Sequence, residues 1–486
     1  MSDKFKIVIS LFLLTGCSLG PDYQQPKIFD LGQLSENTGL KSYGKAEAPK
    51  DWYKLLKDEN LNELITTALQ ESPDIASAYE KLRQARINLG LARAEWGPEI
   101  SATGSYNQSN AFETAEYKSK SSYYQNGFDA SWEIDIWGGI RRLNESQKAL
   151  MKAAEANLDN VKVVLIAEVV ANYINYRKNE KLLQITEQNL RLQKDIYNII
   201  KQKHSSGVAD DLSLQQAYSA VLNTKTQIPP LRASINLYKN NLAVLCGRLP
   251  NQINFTKNNL LAEKIPIDLN YLYNLPADII KNRPDVIAAE QNLIAQNALI
   301  GNRIAALFPS ISLSGFLGWQ NTTLSPMISS DYQIYNWAGA VGLPLIDWKK
   351  RINRISLQKS VTKQALSAYR KSILTAVSDI NNAMKNLTES SNNLENNDKN
   401  QEAQTKILEL SWKKYKNGLI NFSEILTAEQ NKLNAEQQYI ISVGEWYLNF
   451  ISFNKSVGGG FAAIQHLPLH DDRTDAVNEC DERDKH

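Results

Sequence analysis

The second half of the chain repeats the first at one constant offset, and this duplication limits the possible folds more than any other feature. Identical residues recur 211 positions apart without a gap, and the pairs include Pro73 and Pro284, Pro98 and Pro309, Trp137 and Trp348, Gly207 and Gly418, and Gly247 and Gly458. A solenoid repeat has a far shorter period of about 20 to 50 residues. The pattern therefore indicates a tandem duplication of a whole structural unit, and it predicts two quasi-equivalent positions in a symmetric object.

Each repeat begins with a predicted helix that gives way to a strand. Ser72-Pro73-Asp74 supplies a capping hydroxyl, a proline at the first helical position and a carboxylate near the positive helix end. Arg283-Pro284-Asp285 repeats this pattern without the hydroxyl. The helices are predicted to stop at Gly97-Pro98 and Phe308-Pro309, where the hydrophobic period changes from helical to alternating.

Four strands are predicted in two hairpins, at about 99–137 and 310–346. In the second strand one face is apolar, and the other carries Asp129, Glu133 and Asp135, which we expect to face a lumen. Strands of about 10 to 14 residues can cross a bilayer when tilted, but lipid accepts strands only in a closed barrel of about eight or more. Four strands cannot close a barrel, so the sequence predicts an oligomer. Soluble hairpins packed on a core remain the alternative.

The N-terminus carries a predicted bacterial export signal. Lys4 and Lys6 precede an apolar run, Ile7 to Leu14, that is too short to span a bilayer. It ends in Leu14-Thr15-Gly16-Cys17, which resembles the bacterial lipoprotein signal. We therefore expect residues 1–16 to be removed and Cys17 to be lipidated, and Ser18 is compatible with sorting to the outer membrane. An ordinary signal peptide with a chance cysteine remains the alternative.

A run free of glycine and proline follows each hairpin and predicts a very long helix. The runs extend from Ile140 to Ser206 and from Leu345 to Asn417, and they close at Gly207 and Gly418. Such a helix would be roughly 100 Å long at about 1.5 Å per residue, well beyond a membrane's thickness. We expect it to project into the periplasm, with apolar residues at coiled-coil spacing along its seam.

Composition and motifs argue against other classes of protein. Lys and Arg (54) nearly balance Asp and Glu (52), and no basic run suggests nucleic-acid binding. Neither a nucleophile motif nor a phosphate loop indicates an enzyme or a cofactor. Cys246 and Cys480 do not have the spacing of a metal or disulfide framework, and Pro468 disrupts the pair His466 and His470, so we expect no metal site. A general porin is disfavoured because most of the chain is predicted to be helical.

The duplicated order of helix, hairpin, long helix, glycine turn and returning helix resembles the TolC-like outer-membrane efflux proteins. Within that family the chain is most similar to the lipoprotein branch that serves resistance-nodulation-division pumps. The motifs that carry the resemblance are Gly16-Cys17-Ser18-Leu19-Gly20-Pro21-Asp22-Tyr23 with Pro26, Trp132-Glu133-Ile134-Asp135-Ile136-Trp137-Gly138, Arg283-Pro284-Asp285, and Ser456-Val457-Gly458-Gly459-Gly460-Phe461.

This resemblance implies a fold that is mainly α with a transmembrane β-barrel. It implies a homotrimer with a twelve-stranded barrel, four strands per chain, continued by a periplasmic α-barrel of twelve helices. The implied function is a passive duct for small toxic compounds, with outer-membrane lipid, a periplasmic adaptor and an inner-membrane pump as partners. A type I protein secretion duct and a lipid-anchored periplasmic coiled-coil scaffold remain alternatives.

The resemblance also assigns roles to the two glycine turns. Gly207-Val208 and Gly418-Leu419 match the tips on which the hairpins of an adaptor dock, although each is equally compatible with a plain helix turn. We therefore expect adaptor contact at both turns.

A periplasmic gate is expected beyond the second turn. Relatives carry carboxylates six and nine residues after the glycine; here those positions are Glu424 and Thr427, and the threonine departs from the usual aspartate. Asp210 and Asp211 lie near the first turn, and Tyr415 is expected to hydrogen-bond across the closed mouth. The alternatives are a solvated helix carboxylate for Glu424 and helix-start capping charges for the two aspartates.

The predicted organisation has six segments. They are a signal peptide (1–16), a lipid-anchored linker (17–59), repeat 1 (60–250, tip near 207), an equatorial connector (251–270), repeat 2 (271–460, tip near 418) and a polar tail (461–486).

Overall fold

A computed structural model describes residues 18–28, 30–38, 51–112, 118–250, 252–253, 255, 277–325 and 328–459. The predicted signal peptide, Cys17, most of the predicted connector and the predicted tail with Cys480 lie outside these residues. The described chain is mostly helical and contains four strands. None of its helices is both long enough and apolar enough to cross a membrane.

The α-helices and strands are numbered in chain order. They are α1 (Leu31–Thr38), α2 (Glu59–Glu71), α3 (Pro73–Ala94), β1 (Glu99–Phe112), β2 (Lys118–Glu133), α4 (Gly139–Ser205), α5 (Asp211–Leu245), α6 (Pro284–Ala305), β3 (Ser310–Asn321), β4 (Gln333–Gly342), α7 (Lys350–Lys416) and α8 (Phe422–Ser456). Short 3-10 helices lie at Trp52–Leu56, Ala277–Asn282 and Ser330–Tyr332.

The element bounds confirm the tandem repeat. Three helix pairs, α3 with α6, α4 with α7, and α5 with α8, begin and end 211 positions apart. The helices α4 and α7 each contain 67 residues, as the runs without glycine and proline predicted. The hairpins end at Glu133 and Gly342, about four residues earlier than the sequence predicted.

The chain divides into two compact units. The first combines Lys81–Glu155 and Ala288–Arg370 with the N-terminal segment up to Pro26, and it holds all four strands. The second combines Lys27–Glu80, Ala156–Ile287 and the chain from Lys371 onward, and it holds both glycine turns.

The first unit is built around one antiparallel sheet of order β1-β2-β3-β4. Hence β1 and β4 are its outer strands, and each pairs on one side only in the described chain. Trp337 and Val341 on β4 are 82% and 70% exposed, so a single chain leaves large apolar side chains in contact with solvent. An exposed apolar face of this kind requires lipid or another protein surface.

Aromatic side chains form the core of the second unit. Trp52, Tyr173, Tyr447, Phe450 and Phe453 are almost completely buried. The rings of Trp52 and Phe450 meet edge to face with centroids 6.0 Å apart. Such pairs add about 0.5–1.5 kcal/mol beyond the burial of their area, so this core holds the N-terminal part of the unit against α8.

The two helix starts Ser72-Pro73 and Arg283-Pro284 are held differently. The hydroxyl of Ser72 is buried at the junction of α2 and α3 without a hydrogen-bond partner, so the predicted capping role of this hydroxyl is wrong. Arg283 is also buried, but it donates to Ser456 O at 2.7 Å and to carboxylate oxygens of Asp285 at 2.8 Å and Asp379 at 3.1 Å. This ion-pair network ties the start of α6 to the end of α8 and to α7.

Candidate functional site

The two glycine turns, one from each repeat, meet in a single hydrophobic cluster, here called the tip cluster. Its buried residues are Ile200, Ala217 and Phe422, and the partly buried residues packed against them are Ile196, Tyr197, Ala209, Leu214, Tyr415 and Leu426. Residues from α4, α5, α7 and α8 therefore surround one small core. The sequence predicted each turn separately, but only the structure shows that they share a core.

Both turns end a helix in the same way. Gly207 and Gly418 have φ values of +71° and +69°, a left-handed conformation that favours glycine. In each turn the glycine N–H donates to the carbonyl three residues earlier, and the next N–H donates to the carbonyl five residues earlier. This is the Schellman ending, which satisfies the last carbonyls of the helix. The following residues, Val208 and Leu419, are 75% and 71% exposed.

The helices that return from these turns are capped by equivalent side chains. Asp210 accepts a hydrogen bond from Ser213 N at 3.0 Å, and Asn421, 211 positions later, accepts one from Glu424 N at 3.1 Å. Hydrogen bonds from Ser213 lower the pKa of Asp210 below its usual value. Asp210 is therefore a helix cap in this structure. Its neighbour Asp211 is exposed and lies 2.7 Å from His204 Nε2.

The other residues expected at the gate lie near the second turn. Glu424 is exposed in the first turn of α8, and the hydroxyl of Thr427 donates to Ser423 O at 2.9 Å. The ring of Tyr415 lies 6.1 Å from that of Phe422, and Lys203 Nζ lies 5.6 Å from the centroid of the Tyr415 ring. Because Lys203 belongs to repeat 1, this cation–π contact links the two turns.

Glu429, near this cluster, has a buried carboxyl group. The sequence motifs did not predict a role for it. It is only 9% exposed, and its Oε2 has no hydrogen-bond partner. Burial raises the pKa of Glu429 to about 7, against opposing effects from Lys432 and Trp412. Its position four residues after the buried Ile425 could have predicted burial from helical periodicity.

The three acidic residues expected to face the lumen all belong to the first unit. Two of them lie in β2, and the third lies beyond its end. Asp129 lies within β2 and accepts a hydrogen bond from the hydroxyl of Thr103 at 2.5 Å, and Glu133 is the exposed last residue of the strand. Asp135 lies beyond the strand, which corrects its predicted position. Its carboxylate accepts from Ile140 N at 3.1 Å and Arg141 N at 2.9 Å. It caps α4 because a carboxylate satisfies the free N–H groups of a helix start.

The first described residues are held at the junction between β2 and α4. Arg142, almost fully buried, donates to the carbonyl of Leu19 at 3.0 Å and to Asp22 Oδ1 at 2.7 Å. Leu19 N donates to Trp137 O at 3.3 Å. Gly138 has φ +75° and packs so tightly on Ser18 that a side chain there would collide with it. The residue that follows the predicted lipidation site, Cys17, is therefore fixed at this junction.

Few side chains in the part of the chain that the structure describes are suited to metal binding or nucleophilic catalysis. Within that part, no cluster of His, Cys, Asp or Glu could hold a metal ion. Cys246 is buried, with Sγ 3.7 Å from Leu64 O. Burial raises the pKa of this thiol to about 11, so the thiolate that would act as a nucleophile is scarce at neutral pH.

Comparison with known proteins gives the same architecture. The cation efflux system protein CusC of Escherichia coli O6:H1 is 26% identical over 457 residues, which cover 92% of this chain and 96% of that protein. The toluene efflux pump outer membrane protein TtgC of Pseudomonas putida is 26% identical over 470 residues, covering 94% of this chain and 95% of that protein. The solved outer-membrane channel OprN superposes with a TM-score of 0.83 at 28% identity, covering 92% of this chain and all of that one.

The family model for outer membrane efflux proteins matches residues 64–248 and 275–459. These two matched segments are themselves 211 positions apart, in agreement with the duplicated helices. The family and the fold class predicted from the sequence are thus confirmed. This chain belongs to the outer membrane efflux protein family.

Proposed function

We propose that three copies of this chain form the outer-membrane duct of a tripartite efflux system. The observation that carries this proposal is the four-stranded sheet with two outer strands and an exposed apolar face, joined to helices of 67 residues. Closing the sheet with copies of itself would form a barrel, and lipid would cover the apolar face. The duct is passive, and it works without catalysis or a cofactor.

The cargo proposed for the duct is a small toxic compound. CusC is named for cation efflux and TtgC for toluene efflux, and small toxic compounds are the class that includes both. An inner-membrane pump would supply the energy, and a periplasmic adaptor would join the pump to the duct. We place adaptor docking at Gly207-Val208 and Gly418-Leu419, because each turn presents one exposed apolar side chain at an equivalent position.

The gate is proposed to include a ring of Glu424 side chains, one from each copy. The expected result of Glu424→Ala is a several-fold higher single-channel conductance with a weaker preference for cations. The smaller side chain would widen the constriction, and the ring would lose the negative charge that attracts cations. Planar-bilayer recordings of the purified protein measure both quantities.

Glu389→Ala removes an exposed carboxylate from the middle of α7 and serves as the control. An unchanged cation preference in Glu424→Ala would place the gate elsewhere. A folded oligomer that shows no conductance at all would contradict the duct itself and favour the periplasmic scaffold.

The lipid anchor is proposed at Cys17. The tight packing of Ser18 on Gly138 supports this proposal, because an anchor on the preceding residue would then lie near the end of a strand that is proposed to cross the membrane. We expect Cys17→Ala to abolish incorporation of labelled palmitate in growing cells, while Cys480→Ala retains it. A Cys17→Ala protein that is labelled as strongly as the unchanged one would remove the assignment.

A further inference from the structure

The buried carboxyl of Glu429 lies on the inward face of α8, close to the tip cluster and to the turn that joins α8 to α7. We propose that Glu429 is a proton-operated switch of this helix pair: α7 and α8 stay packed beside the turn while the carboxyl is neutral, and they separate there when it ionises. This inference rests on the proposed duct and its gate, and it adds to them a group that makes opening depend on pH.

Glu429 occupies a position at which the spacing of α8 calls for an apolar side chain. Ile425, four residues earlier, and Leu433, four residues later, are both completely buried. Residues four apart lie on the same face of a helix, so Glu429 belongs to the row of side chains that α8 packs inward. A carboxyl in such a row is costly in its charged form unless that charge is paired and hydrogen-bonded.

The groups around Glu429 leave its charge poorly compensated. Its Oε2 has no hydrogen-bond partner. Lys432 favours the charged form, but this lysine is already paired with Glu436 at 2.6 Å. From α7 the indole of Trp412 favours the charged form without carrying a charge, and within the described chain no ionisable side chain of α4, α5 or α7 adds to these effects. Burial outweighs both groups and raises the pKa of Glu429 to about 7.

Contacts between aromatic rings connect this position to the turn at Gly418. The ring of Trp412 meets that of Tyr415 edge to face, with centroids 6.0 Å apart. Tyr415 packs in the tip cluster, and its carbonyl accepts the hydrogen bond from Gly418 N. A displacement of Trp412 would therefore reach a residue that contributes both to the core of the tip and to the turn.

Ionisation would place a negative charge between the two helices, and water can solvate that charge only if the helices move apart. Once α7 and α8 separate near Trp412, the carboxylate gains hydrogen bonds from water that its Oε2 lacks in the packed state. The separated state therefore binds the proton less tightly than the packed state does. A rise in pH through the pKa of Glu429 shifts the population towards the separated state, and a fall in pH restores the packed tip.

The first repeat does not have the residues of this switch. The positions 211 residues before Glu429 and Trp412 are Tyr218 and Lys201. Tyr218 is 46% exposed, and its ring lies 5.6 Å from that of Tyr197. Because a phenol takes the place of the carboxyl in the first repeat, the switch would act on α7 and α8 and leave α4 and α5 unchanged.

Hydrogen exchange measured by mass spectrometry tests the switch on the purified, detergent-extracted full-length protein. After correction for the intrinsic effect of pH, peptides of α7 and α8 beside the second turn are expected to exchange several-fold faster at pH 8 than at pH 6, with a midpoint at about 7. Peptides of α4 and α5 beside the first turn should change little. Glu429→Gln, which is neutral at every pH, should remove the difference. Glu409→Gln, which neutralises an exposed carboxylate on α7, should retain it.

A second variant keeps the carboxyl and shifts its titration. Lys432→Gln removes the cation that favours the charged form of Glu429, so the midpoint of the exchange profile should move to higher pH. A carboxyl that served only to fill space would give no midpoint to shift. This variant therefore tests the switch even if Glu429→Gln does not assemble.

Planar-bilayer recordings at the same two pH values connect the switch to the proposed gate. The unmodified channel should be open for a several-fold larger fraction of the time at pH 8 than at pH 6, and Glu429→Gln should show no such difference. An exchange profile that does not change with pH, or one that Glu429→Gln retains, would overturn the switch and leave the duct standing. Exchange that depends on pH while channel opening does not would overturn its coupling to the gate. A folded oligomer that conducts at neither pH would contradict the duct itself.

Discussion

Gly418→Pro is expected to abolish export while leaving the strands assembled. The glycine has φ +69°, whereas the proline ring holds φ near about −65°. The substitution also removes the N–H that donates to Tyr415 O at 3.0 Å. Forcing proline into such a position costs roughly 3 kcal/mol or more. Because the turn adjoins Phe422 in the tip cluster, this cost would displace the start of α8, where Glu424 lies.

The matched control is Gly418→Asn. Asparagine adopts the left-handed conformation more readily than other residues with a side chain, and no atom lies within 4 Å of the position its Cβ would take. We expect this variant to retain most of the export activity. Resistance to a toxic compound, measured in cells that depend on this channel, separates the two variants, with heat-resistant oligomers on gels as the assembly readout. Full resistance in Gly418→Pro would show that the turn is not the docking tip.

Glu429→Gln is expected to remove most of the pH dependence of thermal stability between about pH 5 and pH 8. Burial raises the pKa of Glu429 from 4.5 to about 7, so the folded protein holds this proton more tightly than the unfolded chain does. The resulting stabilisation is complete below the unfolded pKa and is lost as the pH rises through 7. A difference of this size corresponds to roughly 3 kcal/mol. Since glutamine is neutral at every pH, the variant should be more stable than the unchanged protein at pH 8.

Three groups define the setting of Glu429. Lys432 and Trp412 both favour its charged form, and Lys432 is itself paired with Glu436 at 2.6 Å. The control is Glu409→Gln, which neutralises an exposed carboxylate on α7 and should leave the pH profile unchanged. Circular dichroism melting of the purified oligomer at several pH values measures the effect. The same pH profile in Glu429→Gln as in the unchanged protein would show that this carboxyl does not titrate in that range.

Features that depend on local and periodic properties of the chain could be predicted from the sequence. The absence of glycine and proline predicted the long helices α4 and α7 because those two residues are the strongest helix breakers. The alternation of apolar and polar residues predicted the strands because neighbouring side chains point to opposite faces. Because the two repeats are offset by a constant 211 positions, each element assigned in one repeat predicted an equivalent element in the other. The first and last residues of α3 and α6 differ by this number.

Features that depend on distant neighbours were decided only by the tertiary structure. Asp135 follows the alternation of a strand, but it caps α4 because the chain turns toward the helix start immediately after Glu133. Arg142 looks like an ordinary helix residue until the N-terminal segment is placed against it. The sequence by itself therefore determined the elements, their order and their duplication. Only the tertiary structure showed which buried polar groups have hydrogen-bond partners. It also showed that the two glycine turns share one hydrophobic core. Both features depend on contacts between residues that are far apart in the chain.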